Sequence, residues 1–282
     1  MLKIITVNSI IQFIEDNLEK KAIRIDDLVV YSGYSRRYLQ MAFKKHIHIP
    51  VGKYIRLRRA SRAAALLRLT RLSIIEISER FFYDSQQSFT REFKKIFNYT
   101  PRQYRINNYW SFQNLLGRRT IDGDYLKPKI CYLRPKKTTG KYFNFKDVII
   151  YTGVSSKDRW GKIYNYLKEN KHITVSNKIP FDNDGQDILA RTVVWTNECD
   201  SNCCIETEEG VYAHFSFSGS FDDYIHYMYN IYYNSLPLYN INKKESYDIE
   251  VIKTNQNGFL NCHYFIPIHT DQLVHHDGSF VS

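Results

Sequence analysis

The sequence predicts a multidomain protein: an all-α N-terminal domain with two helix-turn-helix units, followed by an α+β domain with an antiparallel sheet and an internal pseudo-repeat. Apolar residues recur at helical spacing up to residue 107, whereas short alternating apolar runs dominate beyond residue 125. A chain of 282 residues is long enough for two domains with a core each. The predicted divisions are 1–107 for the helical domain, 108–124 for a linker, 125–269 for the α+β domain and 270–282 for a polar tail.

Net charge separates the two parts of the chain. Residues 1–107 contain 21 basic and 9 acidic side chains, a net +12, whereas residues 108–282 contain 19 and 20, a net −1. Such asymmetry favours a polyanionic partner for the first domain, since each neutralised phosphate releases condensed counterions. A solvated basic face that keeps the protein in solution is the alternative.

Cysteine usage and hydropathy indicate the cellular compartment of the protein. Five cysteines are an odd number, no charged and then apolar leader begins the chain, and no apolar run approaches the ~20 residues that span a bilayer. We therefore expect a cytoplasmic, nucleoid-associated protein without membrane contact. Cys199, Cys203 and Cys204 lack a second ligand pair at zinc spacing, so ordinary reduced thiols, with no metal and no cofactor, are expected.

The helical domain divides into a first helix and two similar units. Ile10, Ile14 and Leu18 share one face of a helix predicted over about residues 7–19. In the first unit, a short helix from Ile25 leads through a turn to the N-cap Ser35 and a helix from Arg36 to about His46. The second unit has a short helix over 74–81, the N-cap Ser85 and a helix over 86–97.

The two units are an internal duplication. A shift of 50 positions superposes Ser35 on Ser85, and the same shift aligns the following apolar and lysine positions. Between the copies, Val51 to Leu67 predicts a connecting helix of roughly 25 Å. That length suits two recognition helices held about one turn of DNA apart.

The outward faces of the two longer helices carry base-reading chemistry. Packing of Leu39 with Phe43, and of Phe89 with Phe93, leaves the neighbouring polar residues outside. Arginine can bind guanine O6 and N7, and glutamine can bind adenine N6 and N7. The candidate base-reading residues are Arg36, Arg37, Gln40, Met41, Gln86, Gln87, Thr90 and Arg91. The candidate phosphate contacts are Ser35, Lys44, Lys45, Ser85, Lys94, Lys95, Arg102 and Arg105.

At these residues the chain resembles the AraC/XylS family, in particular the subgroup of MarA, SoxS and Rob. The matching motifs are Ser32-Gly33-Tyr34-Ser35, Tyr38-Leu39-Gln40, Phe43-Lys44-Lys45, Tyr54-Ile55-Arg56, Asp84 to Arg91, Phe93-Lys94-Lys95, Thr100-Pro101 and Tyr104-Arg105. The resemblance implies a transcription regulator that binds double-stranded DNA as a monomer and, as an activator, contacts RNA polymerase.

Three positions depart from these relatives. They usually have tryptophan where this chain has Arg37, arginine where it has Met41, and in many cases glycine where it has Phe82. A methionine cannot donate a hydrogen bond to a guanine edge. We therefore expect the base preference of the first recognition helix to differ from that of the subgroup.

The second domain shows strands alternating with helices. Strands are predicted over 147–154, 188–196, 211–217, 247–252 and 260–268, and helices over 159–169 and from Phe221 onward. This part resembles the GyrI-like effector-binding domain, with Val211-Tyr212-Ala213, Phe215, Gly219, Asp248-Ile249-Glu250 and Phe265 to Ile268 as the matching pieces.

The GyrI-like resemblance implies a cleft between two pseudo-repeats that takes a small amphipathic or aromatic ligand. The candidate pocket residues are Trp160, Tyr164, Trp195, Phe215, Tyr224, Tyr247, Glu250 and His263. His263 stands where several relatives have a glutamate, so an anionic or neutral ligand is expected rather than a permanent cation. Aromatic residues on strands are also common in ordinary cores, which is the alternative for each.

Three functional classes follow from these patterns. The first is a sequence-specific transcription regulator. The second is an architectural DNA-binding protein of low specificity, which would follow if Arg37 and Met41 weaken base reading in the first recognition helix. The third is an enzyme, which we do not expect because the second domain has no catalytic triad or paired carboxylates at recognisable spacing.

Overall fold

The computed structural model describes residues 2–107, 109–119, 126–147, 157–178, 188–196, 204–254 and 259–269. The chain forms two compact units. The first comprises Met1–Arg68, Leu72–Ile106 and Asn114–Tyr125, and the second comprises Leu69–Arg71, Asn107–Gln113 and Leu126–Ser282. The segment expected to be a linker, 108–124, is therefore divided between the units after Gln113.

The first unit is helical throughout its described residues. Its helices are α1 (Leu2–Asn17), α2 (Ile25–Ser32), α3 (Arg36–Ile47), α4 (Val51–Leu69), α5 (Ile74–Arg80), α6 (Gln86–Phe97) and α7 (Pro101–Ile106). The N-terminal bounds of α3 and α6 are those expected from their serine caps. Helix α1 begins five residues earlier than the apolar spacing indicated.

The duplication extends further than the sequence pattern indicated. Helices α3 and α6 have the same length, and their bounds differ by 50 positions. Each ends in a residue with left-handed backbone, His48 with φ 65° and Asn98 with φ 63°. Each is followed by a helix whose fourth residue is a buried tyrosine, Tyr54 in α4 and Tyr104 in α7. The recognition helix, its left-handed C-cap and the start of the next helix therefore have the same local structure in both copies.

Each copy buries its apolar face in its own core. In the first copy, Leu39 and Phe43 join residues of α1, α2 and α4 in one cluster. In the second copy, Phe93 packs edge-on against Phe89 at 5.5 Å and against Tyr104 at 5.3 Å. Aromatic contacts of this kind bury large areas and hold the helix in one orientation. The polar faces of both helices consequently lie outside.

Residues 114–119 return to the first unit and pack on the connecting helix. The backbone N–H of Leu116 donates to Ser61 Oγ at 2.8 Å, and the carbonyl of Leu116 accepts from Arg58 Nη1. The amide of Asn114 donates to the carbonyl of Ile96 at 2.7 Å. Leu115 and Leu116 are buried. This short segment therefore links α4 to the second copy.

The second unit is built on an eight-stranded antiparallel sheet of described strands. The strands are β1 (Lys129–Leu133), β2 (Lys136–Asp147), β3 (His172–Lys178), β4 (Ile188–Thr196), β5 (Cys204–Thr207), β6 (Gly210–Gly219), β7 (Asp248–Thr254) and β8 (Leu260–Pro267). Their order across the sheet is β1-β6-β8-β7-β3-β4-β2-β5. The helices are α8 (Lys157–Glu169), α9 (Phe221–Asn230) and α10 (Leu236–Leu238), with a π-helical turn at Ile231–Ser235.

The topology of the sheet is an internal repeat. Strand β2, helix α8 and strands β3 and β4 form one half, and β6, α9, β7 and β8 form the other. In each half the last strand lies between the other two, and the halves join where β3 pairs with β7. Helices α8 and α9 contact the same face, since Arg159 and Tyr224 both bind Glu250 of β7.

Several expected elements of the second unit differ in the structure. Strand β2 ends at Asp147, where the sequence pattern had placed the start of a strand; residues 148–154 lie outside the described ranges. Strands β1, β3 and β5 were not expected. The strands at 188–196, 211–217, 247–252 and 260–268 and the helix over 159–169 are confirmed within a few residues.

The described residues hold three free cysteines and no candidate metal cluster. Cys131, Cys204 and Cys262 are thiols, whereas Cys199, Cys203 and the tail 270–282 fall in undescribed ranges. No group of three metal-binding side chains is found among the residues described. No helix in the described part of the chain combines the length and apolar character needed to cross a membrane.

Candidate nucleic-acid interface and buried carboxylate

Helix α3 presents a polar surface fixed by its cap and by its buried face. Ser35 Oγ accepts a hydrogen bond from the backbone N–H of Tyr38 at 3.4 Å, which satisfies one open donor of the first turn. Leu39 and Phe43 are buried. The four candidate base-reading residues of this helix are all exposed, namely Arg36, Arg37, Gln40 and Met41. Arg36 also pairs with the exposed Asp26.

Helix α6 presents the corresponding surface of the second copy. Ser85 Oγ accepts from the N–H of Ser88, and Ser88 Oγ accepts from the N–H of Ser85, both at 3.1 Å. This reciprocal cap fixes the first turn. Gln86, Gln87 and Arg91 are exposed and Thr90 is half-buried. The exposed side chains of this helix thus include two amides and one guanidinium, the groups suited to base edges.

The candidate phosphate contacts separate into two groups. Lys44, Lys45, Lys94, Lys95 and Arg102 are exposed at the ends of α3 and α6 and on α7. Arg105 differs, because its Nε donates to the carbonyl of Leu67 at 3.1 Å and its Nη2 donates to the carbonyl of Leu72. The structure gives Arg105 the role of satisfying backbone carbonyls at the end of α4. We therefore leave it out of the proposed phosphate contacts.

A groove of about 1420 Å³ lies between the two copies. One side is formed by the end of α3 and the residues after it, and the other by the turn before α6 and by α6 itself. Gly52, Lys53, Arg56 and Arg59 of α4 lie between these sides. The lining contains six cationic side chains, Lys53, Arg56, Arg59, Arg91, Lys95 and Arg119, against the two carboxylates of Asp84 and Glu92. The groove is therefore suited to a polyanion.

The opposite side of α4 neutralises its arginines internally. Arg58 of α4 pairs with Glu15 of α1 at 2.6 Å, and Glu19, which follows α1, pairs with Arg62 of α4 at 2.7 Å and with Arg80 of α5 at 2.6 Å. Burial favours a higher pKa for Glu19, but the two guanidinium groups outweigh it and hold the pKa below its usual value. These three arginines are paired within the first unit, whereas Arg56 and Arg59 of α4 line the groove.

Glu92 is the acidic residue of α6 within this basic groove. Burial raises its pKa, while Arg56, Arg59 and Lys95 nearby and a hydrogen bond from Tyr83 act in the other direction. The hydroxyl of Tyr83 donates to Glu92 Oε1 at 3.2 Å. Phe82, which precedes Tyr83, has φ 57°, a left-handed conformation that glycine adopts without steric cost. This conformation agrees with the glycine that the family resemblance implied at this position.

The second unit holds a buried carboxylate beneath its helices. Glu250 has no exposed surface. Its Oε2 accepts from Arg159 of α8 and from Asn177 Nδ2 at 2.9 Å, and its Oε1 accepts from the hydroxyl of Tyr224 on α9. Burial and the adjacent carboxylate raise the pKa of Tyr224 well above its usual value, so the phenol remains a donor.

The structure brings together only part of the expected pocket. Trp160 packs edge-on against Tyr224 at 5.4 Å, and Phe215 is buried on the same sheet face as Glu250. Tyr164 is 58% exposed on α8. Tyr247 precedes β7 and lies under the ammonium of Lys178 at 5.5 Å. Arg159 and Asn177, which were not predicted as pocket residues, bind Glu250 directly.

Two of the expected pocket residues lie on the other face of the sheet. Successive strand residues alternate between faces, and Tyr264, next to His263, is the register partner of Glu250. His263 Nδ1 lies 3.0 Å from His214 Nε2, and this pair is exposed. The indole of Trp195 donates to Ser176 Oγ at 2.9 Å on that same face. His263 and Trp195 therefore lie on the face opposite Glu250, so the structure does not bring them together with this carboxylate.

Two family models match the chain, one in each unit. The model described as a helix-turn-helix domain matches residues 28–107. The model described as a GyrI-like small molecule binding domain matches residues 126–269, about half of the chain. The two matches correspond to the duplicated helices and to the repeated sheet.

Similar proteins include several that are named as regulators. The chain is 60% identical over 274 residues to the F1 operon positive regulatory protein of Yersinia pestis, covering 97% of this chain and 91% of that protein. It is 38% identical over 174 residues to the putative helix-turn-helix transcriptional regulator YkgA of Escherichia coli, 62% of each chain. It is 40% identical over 104 residues to the multiple antibiotic resistance protein MarA of Salmonella typhimurium, 37% of this chain and 81% of that protein.

Proposed function

Because the chain belongs to the AraC-type helix-turn-helix transcription regulators that carry a GyrI-like domain, we propose that it binds as a monomer and activates transcription. In this proposal α3 and α6 enter two adjacent major-groove segments of one duplex. The observation that supports it is the duplication itself, which presents two exposed polar helix faces at a fixed offset of 50 residues. One chain then supplies both recognition helices, and no partner subunit is required.

The base contacts are assigned by side-chain chemistry. Gln86, Gln87 and Arg91 of α6 contact base edges, together with Thr90. Arg36, Arg37 and Gln40 do so on α3, where Met41 offers only an apolar contact. A thymine methyl group is the base feature that an apolar side chain can recognise. The first half-site is therefore expected to differ from that of relatives with arginine at this position.

The phosphate contacts come from the helix ends and from the groove. Lys44, Lys45, Lys94, Lys95 and Arg102 are exposed, and Lys53 and Arg56 of α4 face the groove between the copies. Helix α4 has 19 residues, about 28 Å at ~1.5 Å per residue, close to the ~34 Å of one DNA turn. We infer that the sugar-phosphate backbone between the two major-groove segments runs along this groove.

Activation and ligand binding are carried over from the relatives. The Yersinia pestis relative is described as a positive regulatory protein, which supports activation, and we propose that activation involves contact with RNA polymerase. The GyrI-like match supports a small amphipathic or aromatic ligand for the second unit. The buried group that such a ligand would approach is the carboxylate of Glu250.

Selection of bound sequences from random duplex DNA with the full chain tests the proposal. A regulator should recover two short motifs about one helical turn apart, with specific over random affinity of ~10³ or more. Mass measurement of the complex should give one chain per site. A ratio near one would instead favour the architectural protein of low specificity, and a complex with two chains per site would refute the monomer.

A further inference from the structure

Two histidines meet on the face of the second unit's sheet that lies opposite Glu250. His214 lies on β6 and His263 on β8, and these two strands pair antiparallel. His214 Nε2 and His263 Nδ1 are 3.0 Å apart, at a position exposed to solvent. Ser216 Oγ lies 3.4 Å from each of these two nitrogens. The histidines are 49 positions apart in the sequence, so no short ligand motif indicates this pair.

These three atoms are spaced as the ligands of one metal ion are. A triangle with sides of 3.0, 3.4 and 3.4 Å is small enough that a single point lies about 2 Å from all three of its corners. The bond between a zinc ion and an imidazole nitrogen has a length of ~2.0–2.1 Å. One ion can therefore contact both imidazoles and the hydroxyl, with its other side open to water.

Aromatic stacking fixes the orientation of the imidazoles. The ring of His214 stacks on that of Phe265, its cross-strand partner on β8, with 4.5 Å between the ring centres and 12° between the planes. The rings of His214 and His263 are also stacked, at 5.2 Å and 28°. Ligands that are already oriented lose little conformational entropy when they bind, which favours binding.

The protonation of the pair is compatible with a metal ion. Burial, and then the neighbouring His263 and Lys129, lower the pKa of His214 below its usual value, so this imidazole is neutral at neutral pH. Neutral imidazole is the form that binds metals. In the hydrogen bond between the rings, one of the two facing nitrogens carries a proton. When an ion binds, this proton moves to the other nitrogen of the same ring, and no proton is lost from the pair.

We propose that His214 and His263 form a binding site for a divalent transition-metal ion such as zinc or nickel, with Ser216 beside them and water completing the coordination. Imidazole nitrogen suits zinc, nickel and copper, whereas magnesium and calcium take oxygen ligands. Lys129 is the cross-strand partner of His214 on β1 and adds a positive charge, so binding depends on the two imidazoles and not on a negative field. The ion joins β6 to β8 and is independent of any ligand that approaches Glu250.

The experiment titrates the full chain with zinc chloride and with nickel chloride by calorimetry, after alkylation of accessible thiols. The unaltered chain should bind one equivalent of each ion that His263→Gln does not bind, and each ion should raise the melting temperature of the unaltered chain more than that of this variant. Magnesium chloride should do neither. His172→Gln is the matched control and should keep the equivalent, because His172 is an exposed strand histidine whose cross-strand partner is Lys253.

A second variant tests the position of the third atom. Ser216 is exposed, and Ser216→Asp places a carboxylate, a stronger metal ligand than a hydroxyl, beside the two imidazoles. Its affinity for zinc should rise about tenfold, the size of effect that a group supporting a metal site typically has. Ser218→Asp adds the same charge two positions further along β6, on the same face and also exposed. This control should bind zinc as the unaltered chain does.

Three outcomes would overturn the inference. Equal binding of zinc and nickel by the unaltered chain and by His263→Gln would place the ions at other side chains. Absence of saturable binding in the unaltered chain would leave the two histidines as hydrogen-bond partners only. Equal affinities of Ser216→Asp and Ser218→Asp for zinc would contradict an ion held beside Ser216. If His263→Gln does not fold by circular dichroism, the comparison of the two aspartate variants decides.

Discussion

Arg58 of the connecting helix α4 forms a two-contact ion pair with Glu15 of α1. Nη2 lies 2.6 Å from Oε2, and Nε lies 2.7 Å from Oε1. Arg58 is only 1% exposed, and the hydroxyl of Tyr54 donates to the same carboxylate at 3.0 Å. The helix proposed to space the two recognition helices is thus anchored to α1 through a buried charge.

Loss of the Glu15 charge should destabilise the first unit strongly. Glu15→Gln leaves the guanidinium of Arg58 buried without a compensating negative charge, and breaking a buried ion pair in this way costs about 3 kcal/mol or more. Urea unfolding at neutral pH measures the change. Asp16→Asn, at the next and exposed position, is the matched control and should change stability by less than ~0.5 kcal/mol. Equal stabilities for the two variants would contradict the argument.

The Arg58–Glu15 pair should make the free energy of unfolding depend on pH. Burial favours a raised pKa for Glu15, but Arg58, the Tyr54 hydrogen bond and Arg62 together hold the pKa below its ordinary 4.5. The pair therefore contributes fully above 4.5, the value in the unfolded chain, and its contribution is lost as pH falls through the lower folded pKa. The unfolding free energies of the unaltered chain and Glu15→Gln should converge as pH falls. If the two unfolding free energies fell in parallel with pH, the acid dependence would not come from Glu15.

Two substitutions should separate base reading from phosphate binding. Arg91→Ala should cost ~1–3 kcal/mol on cognate DNA and much less on random DNA. Lys44→Ala should weaken binding to all sequences alike and lower the salt slope by ~1. Anisotropy titrations over a range of salt concentrations distinguish these results. An equal effect of Arg91→Ala on cognate and random duplexes would place Arg91 among the phosphate contacts.

Neutralisation of Glu92 should strengthen DNA binding at every sequence. Glu92→Gln removes a carboxylate from the basic groove, and an effect of about 0.5 kcal/mol is expected at low salt. The gain should shrink at lower pH, because burial raises the pKa of Glu92 and the unaltered side chain then becomes neutral too. Glu79→Gln, on the exposed surface of α5, is the control. No difference between the two variants would argue against phosphates in the groove.

The base preference of the first half-site should change with Met41. Met41 is 60% exposed on α3, so an arginine there meets no packing conflict. Met41→Arg should add a guanine preference at one position of the selected motif, worth ~1–3 kcal/mol. The motif contributed by α6 should stay the same, which serves as the internal control. An unchanged first half-site would show that position 41 does not reach the bases.

The first unit was predictable because local and tertiary signals coincide in it. Ser35 and Ser85 mark helix starts, and the packed residues recur at helical spacing within each copy. The role of Arg105 was not predictable, since its acceptors are the backbone carbonyls of Leu67 and Leu72, more than 30 positions away. Sequence spacing alone does not show which arginine donates hydrogen bonds to backbone carbonyls and which is exposed to solvent.

The second unit was less predictable because its strands are polar at their edges. Strand β2 begins Lys136-Lys137-Thr138-Thr139, a composition typical of a loop, and becomes a strand through pairing with β4 and β5. The ion-pair partner of Glu250 was not predictable either, because Arg159 is 91 positions away in the sequence. Strand alternation, however, places His263 and Glu250 on opposite faces once the register of β7 with β8 is known.

The return of residues 114–119 onto α4 determines how the first unit can be isolated. A recombinant fragment that stops at residue 107, the boundary expected from the sequence, would lack Leu115 and Leu116 and leave Ser61 and Arg58 without hydrogen bonds from this segment. A fragment that ends after Arg119 retains them. Protease digestion of the intact chain should therefore leave a stable N-terminal product whose C-terminus lies beyond that residue.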